Sequence, residues 1–521
     1  MLSTRRAARI ISQGASAISC GSASGEPLQI VTLAASLKCD PDLIFEYVYN
    51  NIEYEPLFGS NKGALGTLLD QRGDDIDQAQ LLVALLSAAG IPSSAMSYEY
   101  GYIRVWGNEE GGAAKAPGWL GVKDDASAIG DLLANGGIPI GTVYENSDGT
   151  LDYVDVAHVW VQLQIGGITY AFDPSFKQHV VSTGLADLGT VLGYTQSQFL
   201  ADAGGTTDSV SVTNLNRASI RSALVGYANN LISYVKSNNP AWTLNDVAGG
   251  KTIEYLTGSP LRQTAPPYLS PDQPSGFPQN WGGTVPNAYR TCFTISMPGV
   301  TPTSCSAPSS QTIQLYSDQT YGHRITVFST GSNCASGGSC TPTLLIDGQP
   351  PPNGQNTGTS ANLGSPWQAL TIEITHPYTG ELATAADQTT APALIAGGSY
   401  LVGAGWGQVG RGMVEYHRQL LAQAIAAGGS PSSEAVLGES LAVISYTWLA
   451  EVSSAQRLAD AVGPNGALTT QYHHGVGIAA QTAIQRSGKQ GPYVDLPLNF
   501  VTMEPETHYA GSGIPPSVLG A

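Results

Sequence analysis

Charged side chains are scarce. Asp, Glu, Lys and Arg make up 12% of the 521 residues, about half the ~25% of an ordinary globular chain. The basic ones are scarcer still, 22 Lys plus Arg against 40 Asp plus Glu, a formal net charge of −18. No basic run is longer than Arg5-Arg6, so nucleic acid and anionic lipid surfaces are poor partners on electrostatic grounds and none is expected. No run of ~20 apolar residues occurs, so the sequence predicts no membrane span. No cysteine spacing fits a zinc site, and no metal or other cofactor is implied.

What is abundant is small and polar. Gly reaches 62 residues, well above its usual share of ~7%, and Ser, Thr, Asn and Gln fill much of the remainder. This suits a secreted or surface β-rich protein, and the 42% of hydrophobic residues is enough to build real cores. The six cysteines are even in number: Cys20, Cys39, Cys292, Cys305, Cys334 and Cys340. Cys20 with Cys39, Cys292 with Cys305 and Cys334 with Cys340 are natural local pairs, although six cysteines allow about 15 connectivities. If they pair, the compartment is oxidising, outside the cell or on its surface. In the first 25 residues Arg5, Arg6 and Arg9 resemble the basic part of a signal peptide. The apolar run after them is broken by Ser12, Gln13 and Gly14, which makes the signal weak. The chain also reads as compatible with a processed piece of something longer.

The length predicts several domains. After the N-terminal segment 1–25, an α+β domain is expected over 26–185, with short helices, then strands over 95–100 and 102–106 and around His158 and Asp173. A helical connector with a Pro-rich linker is expected over 186–278. Residues 279–403 switch to period two, as in Arg324-Ile325-Thr326-Val327-Phe328, and predict a β-sandwich. A helical hairpin is expected over 404–463, with Trp448 packed in the core. A strand pair and tail follow over 464–521. Asn146-Ser147-Asp148-Gly149 reads as a turn; with Asp152 it also has a faint calcium-loop look. His473-His474 would point to opposite faces of a strand, which argues against a shared metal.

One stretch organises the chain, Arg72 to Pro92. Leu81, Leu82, Leu85, Leu86 and Ala89 recur at helical spacing, and Gly90 and Pro92 stop the helix. Asp74, Asp75 and Asp77 fall in its first turn, where free N–H groups and positive potential favour carboxylates. As caps alone they need no function. Downstream, Ala157-His158-Val159-Trp160 lies on an apolar strand, Gly166-Gly167 makes a hairpin turn, and Phe172-Asp173-Pro174-Ser175 closes the next strand.

Helix N-terminus, then strand His, then strand Asp is the chain order of a Cys-His-Asp site. The set resembles the transglutaminase-like superfamily, relatives of papain-like cysteine proteases. Gly73, Asp77, Ala79, Gly90-Ile91-Pro92, His158, Trp160, Asp173 and Pro174 fit its pattern, as does the approach segment Phe45 to Tyr54. The resemblance implies a papain/transglutaminase-like domain with Asp75, His158 and Asp173 as triad positions and Gly73, Asp77 and Trp160 supporting them. The position of the nucleophilic Cys holds Asp75, and a carboxylate lacks thiolate chemistry.

Three functions follow as expectations. The first is a non-catalytic transglutaminase-like module of a secreted or surface structural or adhesive bacterial protein. It would meet a protein or peptide partner, or assemble with itself, and Asp75 would raise the His158 pKa. The second is a cysteine-less hydrolase in which Asp75 and His158 activate water against amides or esters, with oxyanion donors from the helix N-terminus. The third is a carbohydrate- or calcium-binding surface protein led by the sandwich.

Overall fold

The computed structural model describes residues 25–462, less 123, 183, 208–211, 257–261, 299, 301–311, 331–338, 352–357, 359–360, 363–367, 378–386, 391–392 and 395–398, and beyond them 474–482, 493–495 and 501–503. In the first half, helices α1 (Leu28–Ser36), α2 (Pro41–Asn51) and α3 (Gly63–Asp70) pack on α4 (Asp75–Ala88). Asp40 caps α2 by accepting the Asp42 N–H, and Pro41 takes the first helical position, where no N–H is needed. Eleven of the 14 residues of α4 are buried, so it is a core helix wrapped on nearly every side rather than an amphipathic surface helix.

Strand β1 (Met96–Trp106) pairs antiparallel with β2 (Leu151–Ile165) over its whole length, from Met96 opposite Leu163 to Trp106 opposite Tyr153. The two strands expected over 95–106 are thus one continuous strand, which puts Gly101 opposite His158. Short helices α5 (Ala116–Leu120) and α6 (Ala126–Asn135) lie between β1 and β2. Gly166 and Gly167 both have positive φ, 61° and 84°, as a tight hairpin turn requires, and β3 (Ile168–Phe172) returns alongside β2. Residues 146–149 do form a turn, in which Asp148 accepts from the Thr150 N–H and hydroxyl.

The connector departs from expectation. β4 (His179–Ser182) pairs with β5 (Gly250–Ile253), and between them α7 (Arg217–Asn238) has no buried residue. The Pro-rich stretch does not hang free as a linker. It runs back along the sheet, with Ala171 N–H donating to Gln263 O, Arg104 N–H to Tyr268 O and Ser270 N–H to Tyr102 O, until β6 (Gln279–Gly282) pairs with β1. Prolines cannot donate to a ladder, yet their neighbours can pair with an edge strand. A domain boundary at 278 would cut this segment just before β6.

In the second half, one antiparallel sheet runs β8 (Thr312–Tyr316), β7 (Cys292–Ser296), β11 (Thr371–Thr375), β12 (Asp387–Thr390). A second joins β9 (Ile325–Thr330), β10 (Ser339–Ile346) and β13 (Ser399–Gly405) to β14 (His474–Thr482), β15 (Tyr493–Asp495) and β16 (Val501–Met503). The segment from 464 onward is therefore not a separate strand pair, because its strands extend the sheet that holds β13. Helices α8 (Arg411–Ala426) and α9 (Glu434–Val462) form the expected hairpin. Phe293, Ile372, Val327, Leu401, Met413 and Leu441 bring both sheets and both helices into one core. Trp448 is not in it and stays 39% exposed. By length and mean hydropathy Glu434–Ser454 could cross a membrane, yet half of it is buried and it carries the buried Glu439.

The halves meet at α3, where Leu68 joins the first core and Leu65 and Leu69 the second. Buried Lys62 holds the seam. Its ammonium lies 2.8 Å from Glu55 and 3.3 Å from Asp70 and donates to Gln408 O at 3.0 Å. Gln408 N–H and Gly410 N–H donate to the same two carboxylates. No described cysteine is free. Cys20, Cys305 and Cys334 lie outside the described residues, and with them every pairing expected from spacing; His473 is outside them as well.

Candidate functional site

The fold brings Asp75, His158 and Asp173 together. Asp75 is the first residue of α4, after the cap Asp74, whose side chain accepts the Asp77 N–H at 2.8 Å. His158 Nδ1 lies 3.5 Å from Asp75 Oδ2, and Nε2 lies 2.8 Å from Asp173 Oδ2. The imidazole is thus held between two carboxylates, closer to Asp173. All three side chains are buried, His158 completely.

Each carboxylate is occupied by donors. Asp75 Oδ2 accepts the Val159 N–H at 2.7 Å and Oδ1 accepts its neighbour Ile76 N–H at 2.9 Å. The Ile76 and Asp77 N–H groups at the helix N-terminus are thus both held by carboxylates. Asp173 Oδ1 accepts from Ser175 Oγ at 2.8 Å, Ser175 N–H and Phe176 N–H, while Tyr268 OH donates to Oδ2 at 2.7 Å. Trp119 meets the His158 ring edge-on, centroids 5.8 Å apart, and donates its indole N–H to Ser175 O.

The charges follow from these contacts. Burial would lower the His158 pKa, but the Asp173 charge and hydrogen bond, and then the Asp75 charge, outweigh it and raise the value. The expected rise is there, with Asp173 rather than Asp75 as the main cause. Burial would likewise raise Asp173, yet His158, Tyr268 and Ser175 hold it below the usual carboxylate range. For Asp75 burial wins over His158 and the Val159 and Ile76 N–H groups and pushes it up to about 6.

The supporting residues divide. Asp77 Oδ1 accepts three consecutive backbone N–H groups, of Asn61, Lys62 and Gly63, and so pins the loop into α3. Burial still pushes it up to about 7. At Gly73 a Cβ would come within 2.8 Å of the Asp77 Cβ, so the close approach requires glycine. Trp160 is buried, but its ring packs over Gly101. Lys177, which sequence reasoning missed, is fully buried beneath α4, donating to Gln78 Oε1 at 3.0 Å and to Ile52 O, and burial pushes it down to about 7. Tyr268 and Trp119 were missed as well. The only local signal was a Tyr after Pro266-Pro267 and a Trp in a Gly-rich stretch. Ser175 follows Asp173 by two and was visible in the motif.

Comparison with known families falls on this region. Residues 29–174 match the Transglutaminase-like superfamily. The match begins at α1 and ends one residue after Asp173. The chain therefore carries a transglutaminase-like domain, with strand-rich sheets and helices beyond it. No curated protein and no solved structure matches the chain. Among the described residues no group of three or more His, Cys, Asp and Glu is placed to hold a metal ion.

Proposed function

We propose that the transglutaminase-like domain is non-catalytic, and that it serves a secreted or cell-surface structural or adhesive protein which binds a protein or peptide partner or further copies of itself. The observation that carries this reading is the environment of Asp75. At the nucleophile position stands a buried carboxylate that already accepts two backbone N–H groups and faces His158. An imidazolium between two carboxylates has no lone pair with which to act as a base. The triad instead joins α4, β2 and the end of β3 through charge. The composition, the acidic balance and the even cysteine count support an oxidising, extracellular setting.

The competing reading, hydrolysis by the Asp75–His158 pair, draws on the Asp75 value of about 6, which suits an acid–base group. One experiment separates the two. The full chain is assayed against peptide amides, glutaminyl amides and aryl esters, beside His158→Ala and Asp75→Cys. The proposal expects no turnover above buffer in the wild type; thiol-sensitive turnover gained in Asp75→Cys would mark position 75 as the place of the nucleophile. Wild-type hydrolysis that disappears in His158→Ala would overturn it.

A further inference from the structure

The domain that matches the family ends at residue 174, but its site does not. Residues 262–282 return along the sheet past the triad, touching it at Asp173. At one end Tyr268 donates to Asp173 Oδ2 at 2.7 Å and its ring lies on Phe176, centroids 4.1 Å apart. At the other end Phe277 meets Tyr100 edge-on and Trp281 lies tilted against it, centroids 5.3 and 4.9 Å away. Tyr100 lies opposite Val159, whose N–H donates to Asp75 Oδ2. Between the ends the Gln273 side chain accepts the Tyr102 N–H at 3.0 Å and donates to Tyr102 O, gripping the β1 backbone next to Gly101. Asp272 adds an ion pair to Arg104 at 2.6 Å. Gly101 is the residue opposite His158, and a Cβ there would come within 3.2 Å of Gln273 and Pro278 and 2.9 Å of Trp160.

We propose that residues 262–282 are a strap that closes the site, fastened by Tyr268 on Asp173 and Gln273 on β1, so that Asp75 and His158 are reached only when the strap leaves the sheet edge. Several features suit it to detach. It is Pro-rich, it pairs with an edge strand through scattered backbone bonds, and residues 271, 272 and 274–276 are exposed. Local opening of such a segment needs far less than global unfolding. The strap rests on the reading of Asp75, His158 and Asp173 as the family's site, but not on whether that site turns over.

The test uses the full chain carrying Asp75→Cys, with the parent chain as the background for the native cysteines. The rate at which iodoacetamide alkylates the introduced thiol is measured under native conditions. In the Asp75→Cys chain with the native strap, alkylation should be slow. Adding Tyr268→Phe should raise the rate roughly tenfold to a hundredfold, the ratio implied by losing one hydrogen bond to a charged group. Gln273→Ala should raise it in the same direction. Ile129→Val, a core truncation outside the strap, should leave it within about twofold although it also costs stability. Fast alkylation with the native strap, or equal rates with and without Tyr268→Phe and Gln273→Ala, overturns the proposal. If Tyr268→Phe fails to fold, Gln273→Ala decides alone. Wild-type hydrolysis would sink the non-catalytic reading without touching this result.

Discussion

Replacing Asp75 by an asparagine tests the electrostatics of the triad without changing its shape. Burial raises the folded-state pKa of Asp75 from 3.8 to about 6. A carboxyl whose value is raised on folding stabilises the fold fully below its unfolded pKa and loses that contribution as pH rises through the folded one. With those two values the loss between about pH 4 and about pH 6.5 comes to about 2 kcal/mol. The amide introduced by Asp75→Asn does not titrate, so the stability of the variant relative to wild type should rise by about 2 kcal/mol across that window. At the acid end, where Asp75 is itself a neutral acid, the amide is a close match in shape and charge and the two chains should be of similar stability. The assay is equilibrium urea unfolding of both chains at the two pH values, read on the fluorescence transition of the half that holds Trp119 and Trp160. Parallel pH curves, with a difference that changes by less than about 0.5 kcal/mol, would refute the reasoning.

Other changes follow from single contacts. His158→Leu removes the cation between Asp75 and Asp173 and should cost about 3–5 kcal/mol at neutral pH in the same unfolding assay; a cost under about 1 kcal/mol would contradict a charged triad. Lys62→Met leaves Glu55 and Asp70 buried without their cation and should cost a similar ~3–5 kcal/mol. Calorimetry should show it loosening both halves together, since the contacts cross the seam. Gly73→Ala forces a Cβ against Asp77 and Thr67 and should destabilise by about 1–3 kcal/mol; a chain with unchanged melting would show that the loop yields freely.

The sequence was most readable where local rules and chain order coincide. Asp40 before Pro41, the apolar residues of Asp75–Ala88 and the Gly166-Gly167 turn each carry their conformation in a few residues. Asp75, His158 and Asp173 were found by order and spacing, and the fold brings them together. What was missed is non-local. Tyr268 reaches Asp173 across 95 residues because backbone bonds to β1 place it there, and a Pro-rich strand has no period-two signature. The seam at Lys62 joins partners 346 residues apart in Gln408. Trp448 fits the apolar spacing of its helix, yet spacing does not say which part of a long helix the sheet covers.

The most direct measurement is the protonation state of His158 at neutral pH, by nitrogen-15 NMR of the histidine-labelled full chain, with His158→Gln to assign the resonance. An imidazolium with both ring nitrogens protonated and a titration midpoint above the ordinary ~6.5 is expected. A neutral ring with an unprotonated Nδ1 facing Asp75 would contradict it and return the pair to the list of general bases.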